Sequence, residues 1–98
     1  MTRKITKLSE VDPQKDTSFE WNNKLFILDL WLKNFFTKHF GMSIKSAYCP
    51  SKNSIKIQRS QENAELRWNQ TTILLFLENG NILRLENSEW ASFYRNYD

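Results

Sequence analysis

Residues 72–86, TILLFLENGNILRLE, contain the clearest secondary-structure pattern in this chain. Five consecutive apolar residues, Ile73 to Leu77, are typical of a central strand that is covered on both faces. Asn79-Gly80 follows them and predicts a type I′ hairpin turn, because both central positions of that turn need a positive φ. A returning strand is therefore expected over Ile82 to Glu86.

Upstream of this hairpin, apolar spacing predicts one long helix over residues 17–40. Thr17-Ser-Phe-Glu20 matches a capping box, in which the first and fourth residues satisfy free amides at a helix start. Apolar residues then recur at helical spacing as far as Phe40, and Gly41 suits the left-handed residue that follows a helix end. With about 22 helical residues at 1.5 Å each, such a helix is about 33 Å long.

Between the long helix and the central strand, the apolar period changes from 3.6 to 2, which predicts further strands. Ile44 to Tyr48 and Ile55 to Gln58 are expected to form a hairpin across the turn residues 50–53. Leu66 and Trp68 alternate with charged residues and predict the next strand. Short turns between consecutive strands favour an antiparallel meander.

The end of the sequence predicts a short closing helix, capped by Asn87 or Ser88. Its aromatic residues recur at i, i+3, i+4 and i+7: Trp90, Phe93, Tyr94 and Tyr97. The predicted fold is therefore α+β, with a long N-terminal helix packed on a five-stranded antiparallel meander sheet and a short C-terminal helix. Residues 1–16 are polar and lack a period, which predicts a flexible arm, and residues 17–98 are expected to form a single domain.

Composition limits the class of protein. The chain has 98 residues, of which 40% are hydrophobic, with only two Gly and two Pro, as expected for one packed domain. No run of about 18 apolar residues is present for a membrane span, and the first ten residues lack the apolar centre of a secretory signal. A cytoplasmic location is therefore predicted. The single cysteine, Cys49, excludes an internal disulfide and agrees with a reducing compartment.

Residues that perform catalysis or bind metals are few. His39 and Cys49 are single copies, so a structural zinc site would have at most two of its four preferred ligands. Two isolated glycines cannot form a phosphate-binding glycine loop. We therefore expect no enzyme activity, no metal and no cofactor. Asp29, an acid within the apolar stretch, is expected to face solvent and to pair with Lys33.

Charge is unevenly distributed along the chain, whose net charge is +3. Residues 1–61 hold eleven Lys and Arg against five Asp and Glu, or +6, whereas residues 62–98 hold three against six, or −3. Such asymmetry marks a solvated face, a nucleic-acid footprint or a surface for an acidic protein. A nucleic-acid-binding function is one alternative, using the predicted hairpin 42–61 and the N-terminal arm. Its phosphate contacts would be Lys45, Lys52, Lys56, Arg59, Arg3 and Lys4.

The predicted elements also carry more apolar side chains than one small core is expected to bury. If both helices cover one face of the sheet, Leu74, Phe76 and Ile82 remain on the other face. If the helices take opposite faces, the surplus moves to Phe26 and Leu30. The competing interpretation is an ordinary core that covers all of these positions.

This surplus predicts a small non-enzymatic protein-binding module, an inhibitor or adaptor that occupies a partner protein's surface, or else a homodimer. High Asn, Lys and Ile with low Arg and Gly is typical of AT-rich coding, which is common in phages and mobile elements. The predicted contact residues are Phe26, Leu30, Leu74, Phe76, Ile82 and Arg84.

Overall fold

A computed structural model describes residues 2–50, 56–60, 65–69, 71–87 and 91–94, with side-chain environments for 2–50 and 72–85. Within these ranges the chain forms one α-helix, nine strands and a short 3-10 helix at Leu8–Glu10. In chain order the other elements are β1 (Arg3–Lys4), β2 (Ser18–Trp21), β3 (Lys24–Leu28), α1 (Leu30–Phe40), β4 (Ile44–Pro50), β5 (Lys56–Ser60), β6 (Glu65–Asn69), β7 (Thr71–Leu77), β8 (Ile82–Asn87) and β9 (Ala91–Tyr94).

The strands form two sheets. A six-stranded sheet has the order β1-β2-β3-β4-β7-β8, with β1 and β2 parallel and the other neighbours antiparallel. A three-stranded antiparallel sheet has the order β5-β6-β9. The predicted long N-terminal helix on a five-stranded antiparallel meander sheet is therefore wrong. The predicted C-terminal helix is also wrong, since β9 occupies part of its range and pairs with β6.

Residues 18–28, the first half of the predicted long helix, form a β-hairpin instead. Asn22 and Asn23 have φ values of 52° and 63°, the left-handed region that both central positions of a type I′ turn require. Asn adopts this region more readily than most other residues with a side chain. The hairpin places Phe19 opposite Phe26, and their rings stack with centroids 5.5 Å apart.

Helix α1 begins and ends at residues with clear capping chemistry. The Asp29 carboxylate accepts a hydrogen bond from the Leu32 amide at 3.1 Å, so Asp29 is the N-cap. Gly41 has a φ of 64°, and its amide donates to the Phe36 carbonyl oxygen, which confirms the predicted helix end. The expectation that Asp29 lies within a helix and faces solvent is wrong, because Asp29 is half-buried and the helix starts after it.

Replacing Asp29 by Ala is expected to lower the free energy of unfolding by about 1 kcal/mol, because the cap is lost. The Cys49 thiol, whose sulfur lies 3.4 Å from the Asp29 Oδ2 atom, would also lose an acceptor. Asp29→Asn should retain most of the stability, since Asn is also a good N-cap. Urea denaturation compares these variants with Lys33→Ala. Equal losses in Asp29→Ala and Lys33→Ala would contradict the capping role.

The six-stranded sheet buries apolar side chains on both faces. The face under α1, here called the helix face, is packed by Leu32, Phe35, Phe36, Ile44, Ala47, Cys49, Ile73 and Leu75. The opposite face, here called the N-terminal face, is packed by Ile5, Val11, Phe19, Trp21, Phe26, Tyr48, Leu74 and Phe76. Neighbouring residues of β7 alternate between the two sets, so the prediction of a central strand covered on both faces is confirmed.

Residues 2–16, expected from the sequence to be a flexible polar arm, lie across the N-terminal face. β1 pairs with β2, and the side chains of Ile5 and Val11 are buried. The Tyr48 hydroxyl donates to the Asp16 carbonyl oxygen at 2.7 Å, which fixes the end of the segment to β4. This N-terminal segment therefore supplies one wall of the second core.

The hairpin β7–β8 is confirmed, although its turn differs from the predicted one. Gly80 has a φ of 92°, but Asn79 has no positive φ, so the turn is not type I′. The Leu77 amide donates to the Asn81 carbonyl oxygen at 2.8 Å, which closes a three-residue loop over residues 78–80. The Asn79 side chain accepts from the Asn81 amide at 2.9 Å and stabilises this longer loop.

The predicted hairpin between Ile44–Tyr48 and Ile55–Gln58 is wrong. β4 pairs with β3 and β7, whereas β5 pairs with β6. Residues of β4 are buried on both faces of the sheet. A strand is buried in this way when it lies inside a sheet that is covered on both faces. The partners of β4 were therefore decided by distant parts of the chain.

Candidate binding cleft

A cleft opens on the N-terminal face between the N-terminal segment and the β7–β8 loop, and is here called the N-terminal cleft. Its volume is about 250 Å³. Three parts of the chain, residues 8–13, β4 and residues 76–82, provide its walls. The lining residues are Leu8, Ser9, Val11, Pro13, Lys45, Phe76, Leu77, Gly80, Asn81 and Ile82.

The inner surface of the cleft is apolar, and packed elements fix its shape. Val11 and Phe76 are buried and belong to the core of the N-terminal face. Leu8 and Ile82 are half-buried and pack against the same core. The Ser46 hydroxyl donates to the carbonyl oxygen of Pro13, which holds this wall against β4. Three lining residues are exposed and form the mouth: Ser9, Gly80 and Asn81.

Lys45 is the only charged residue among the ten that line the cleft. It is half-buried and lies at an irregularity in β4, where the pairing register with β7 shifts between Ile44 and Ser46. Across the part of the chain with described side chains, no residue forms an ion pair or hydrogen bond with its ammonium group. The cleft therefore combines apolar walls with one cation that has no counter-charge there.

The carboxylates nearest in sequence to this lining are engaged elsewhere. Glu10 accepts hydrogen bonds from the amides of Lys7 and Thr6 at 2.8 and 3.1 Å. These bonds hold the pKa of Glu10 below its usual value, and the bond from the Lys7 amide has the largest effect. The Asp12 amide and then the Arg3 guanidinium lower the pKa of Asp16 in the same way. These acids thus stabilise the N-terminal segment and are not lining residues of the cleft.

Three of the predicted contact residues lie in the core. Phe26, Leu74 and Phe76 are 1%, 0% and 4% exposed. The expectation that they form a surface patch is corrected, because β3 and β7 are interior strands and the N-terminal segment covers the face to which these side chains belong. Phe76 still contributes to the inner end of the cleft.

The other three predicted contact residues reach the surface at different places. Leu30 is 62% exposed in the first turn of α1. Ile82 is half-buried and lines the cleft. Arg84 is exposed, and its guanidinium carbon lies 5.3 Å from the centre of the Trp21 ring. The structure therefore brings Phe76 and Ile82 together with Lys45, but does not gather the whole predicted set.

The basic residues of the nucleic-acid alternative belong to several different elements. Arg3 and Lys4 lie beside carboxylates, with N–O distances of 2.7 Å to Asp16 and 3.7 Å to Glu20. Lys45 lines the cleft. Lys56 and Arg59 belong to β5 of the second sheet. Lys52 lies outside the described residues. Nucleic-acid binding stays a prediction, which oligonucleotide titrations at low and high salt would test.

Sequence reasoning missed a second apolar surface on β3. Leu25 and Ile27 alternate along the strand on the helix face, and each is 38% exposed. α1 packs mainly on β4, so this edge of the face is only partly covered. Assignment of the whole stretch to a helix hid this alternation, for which the Asn22-Asn23 pair was the available signal.

Comparisons with protein-family models, with curated proteins and with solved structures gave no match. The function of the protein is therefore inferred from the sequence and geometry of the chain alone. α1 has eleven residues, and no helix in the described ranges is long and apolar enough to cross a bilayer. The N-terminal cleft is the site at which residues from both sequence-based hypotheses meet.

Proposed function

We propose that this chain is a protein-binding module that accepts an apolar side chain of a partner protein in the N-terminal cleft. The observation that carries the proposal is the size and lining of the cleft. At about 250 Å³ it lies just below the lower end of the roughly 300–1,000 Å³ range of small-molecule and cofactor sites, and it is large enough for one side chain. Pockets that hold single anchoring side chains are common at the centres of protein interfaces.

The chemistry of the cleft supports an anchoring role. Burying a Leu or Phe side chain against apolar walls contributes about 1.5–3 kcal/mol, which is a substantial part of a moderate affinity. Ser9 and Asn81 surround the mouth with hydrogen-bonding groups, as in the polar rim of an interface. The partner's anchor would thus enter the cleft while its backbone stays at the rim.

In this proposal the protein acts without catalysis, by occupying a partner's surface as an inhibitor or adaptor does, and it works in the cytoplasm. The partner is a different protein or a second copy of the chain. Sedimentation velocity on the isolated protein distinguishes these two cases, because a second copy produces a dimer whose fraction rises with concentration.

Blocking the cleft mouth tests the proposal. Peptides are selected from a random library on the immobilised protein, and their affinities are measured for the wild type, Ser9→Trp and Asn81→Trp. We expect each variant to lose at least about tenfold in affinity, because an indole at the mouth competes with the peptide's anchor.

Asn34→Trp, at an exposed position of α1, is the matched control and should bind like the wild type. Thermal melts show whether each variant stays folded. The proposal is wrong if the selected peptides bind the blocked variants as tightly as they bind the wild type. It is also wrong if selection on the wild type yields no binding peptides.

A further inference from the structure

We infer that the segment entering the N-terminal cleft carries an Asp or Glu beside its apolar anchor, and that the Lys45 ammonium group recognises this carboxylate. This inference rests on the proposed function and names the chemistry of the partner. The chain would therefore select acidic segments of other proteins over neutral or basic segments with the same anchor.

The environment of Lys45 is the first reason. Lys45 is half-buried and lines the cleft, and no described residue forms an ion pair or a hydrogen bond with its ammonium group. An ionic interaction beside apolar walls is screened less than one in open water, so a cation that lines the cleft favours an anionic partner there. A carboxylate placed at the cleft would supply that partner.

The absence of acids from the lining is the second reason. None of the ten lining residues carries a carboxylate, so an incoming anion meets one cation and no like charge within the cleft. Glu10 and Asp12, which flank lining positions, accept hydrogen bonds from amides of their own segment. Glu78 is exposed in the β7–β8 loop and does not line the cleft.

The apolar walls favour a protein segment over a nucleic acid as the source of the anion. A nucleic-acid backbone presents a series of phosphates and is usually held by several cations. The cleft has a single cation, Lys45, between walls formed by Leu8, Val11, Phe76 and Ile82. A carboxylate next to an apolar side chain satisfies both parts of this surface at once.

Two synthetic peptide libraries test the inference. Both have a fixed central Phe with randomised flanks, and they differ only in having Glu or Gln beside that Phe. At low salt we expect members of the Glu library to bind the wild type about tenfold more tightly than their Gln counterparts. Lys45→Met, which keeps a long apolar side chain, should remove this difference and bind both peptides equally.

Lys38→Met, at an exposed position of α1, serves as the charge-matched control and should preserve the preference for Glu. Loss of the Glu preference in Lys45→Met but not in Lys38→Met would support the inference, because the coupling then belongs to this one pair of charges. The inference is overturned if Lys45→Met still prefers the Glu peptide or if the wild type binds both peptides equally.

The Asn81→Trp variant separates failure of the inference from failure of the proposed function. If it blocks the Gln and Glu peptides alike while the wild type shows no preference, the cleft binds a partner but Lys45 does not choose it. If Asn81→Trp blocks neither peptide, the binding lies elsewhere on the chain, and both the inference and the proposed function are wrong.

Discussion

Replacing Phe26 by Ala should lower the free energy of unfolding by about 3–5 kcal/mol, which is a large part of the stability of a small domain. Phe26 is 1% exposed and belongs to the core of the N-terminal face. Its ring contacts those of Phe19 and Trp21, with centroids 5.5 and 5.9 Å away. The loss of these contacts leaves a cavity that interior strands of a sheet cannot readily close.

Leu30→Ala is the natural control, because the sequence assigns both residues to the same predicted surface while the structure separates them. Leu30 is 62% exposed, and its truncation should change the free energy of unfolding by no more than about 0.5 kcal/mol. Urea denaturation followed by tryptophan fluorescence measures both variants. Similar small effects at the two positions would contradict the assignment of Phe26 to the core.

Deleting residues 1–11 should abolish cooperative folding. The deletion removes the buried side chains of Ile5 and Val11 together with β1, and it uncovers core residues of the N-terminal face such as Phe76. Loss of a buried Ile side chain alone typically costs about 2–5 kcal/mol, so the combined loss approaches the whole stability of a small domain.

A point variant in the same segment controls for unrelated effects of changing the N-terminus. Lys7→Ala alters an exposed side chain and should leave the melting temperature close to that of the wild type. Circular dichroism melts and the dispersion of amide proton shifts report the outcome. A shortened chain that melts like the full-length protein would show instead that residues 1–11 behave as the flexible arm expected from their polarity.

Local signals in the sequence predicted the parts of the fold that local interactions decide. The apolar run Ile73–Leu77 identified the central strand because a strand covered on both faces needs apolar residues at every position. Gly41 identified the end of α1 because its left-handed conformation is easily adopted by glycine. Both features depend on the residues that form them and on few distant contacts.

The hairpin of β2 and β3 shows where apolar spacing is ambiguous. Residues 18–28 fit the 3.6-residue period of the predicted helix, but alternate positions such as Phe19 and Trp21 also fit one face of a strand. The strand conformation is favoured because it packs Phe19 and Trp21 into the core of the N-terminal face, and Asn22 and Asn23 form the turn. Similar ambiguity affected β9, whose Phe93 and Tyr94 have high propensities for strands.

The cleft itself could not be predicted, because its walls meet only through pairings between distant parts of the chain. The order β3-β4-β7-β8 brings Lys45 towards residues 76–82, and the packing of Ile5 and Val11 carries residues 8–13 across the same face. Polarity alone gave no reason to place residues 1–16 in a core. Their two buried apolar side chains are separated by exposed polar residues and the 3-10 turn.

Amide chemical-shift mapping shows directly whether a partner segment binds in the N-terminal cleft. The labelled protein is titrated with the tightest peptide of the Glu library, and Asn34→Trp and Asn81→Trp are measured alongside. We expect saturable shifts at the cleft residues Ser9, Lys45, Gly80 and Asn81 in the wild type and in Asn34→Trp, with much smaller shifts in Asn81→Trp. Shifts centred on Leu25, Ile27 and Leu30 instead would contradict the proposed function, because the partner would then bind the exposed edge of the helix face.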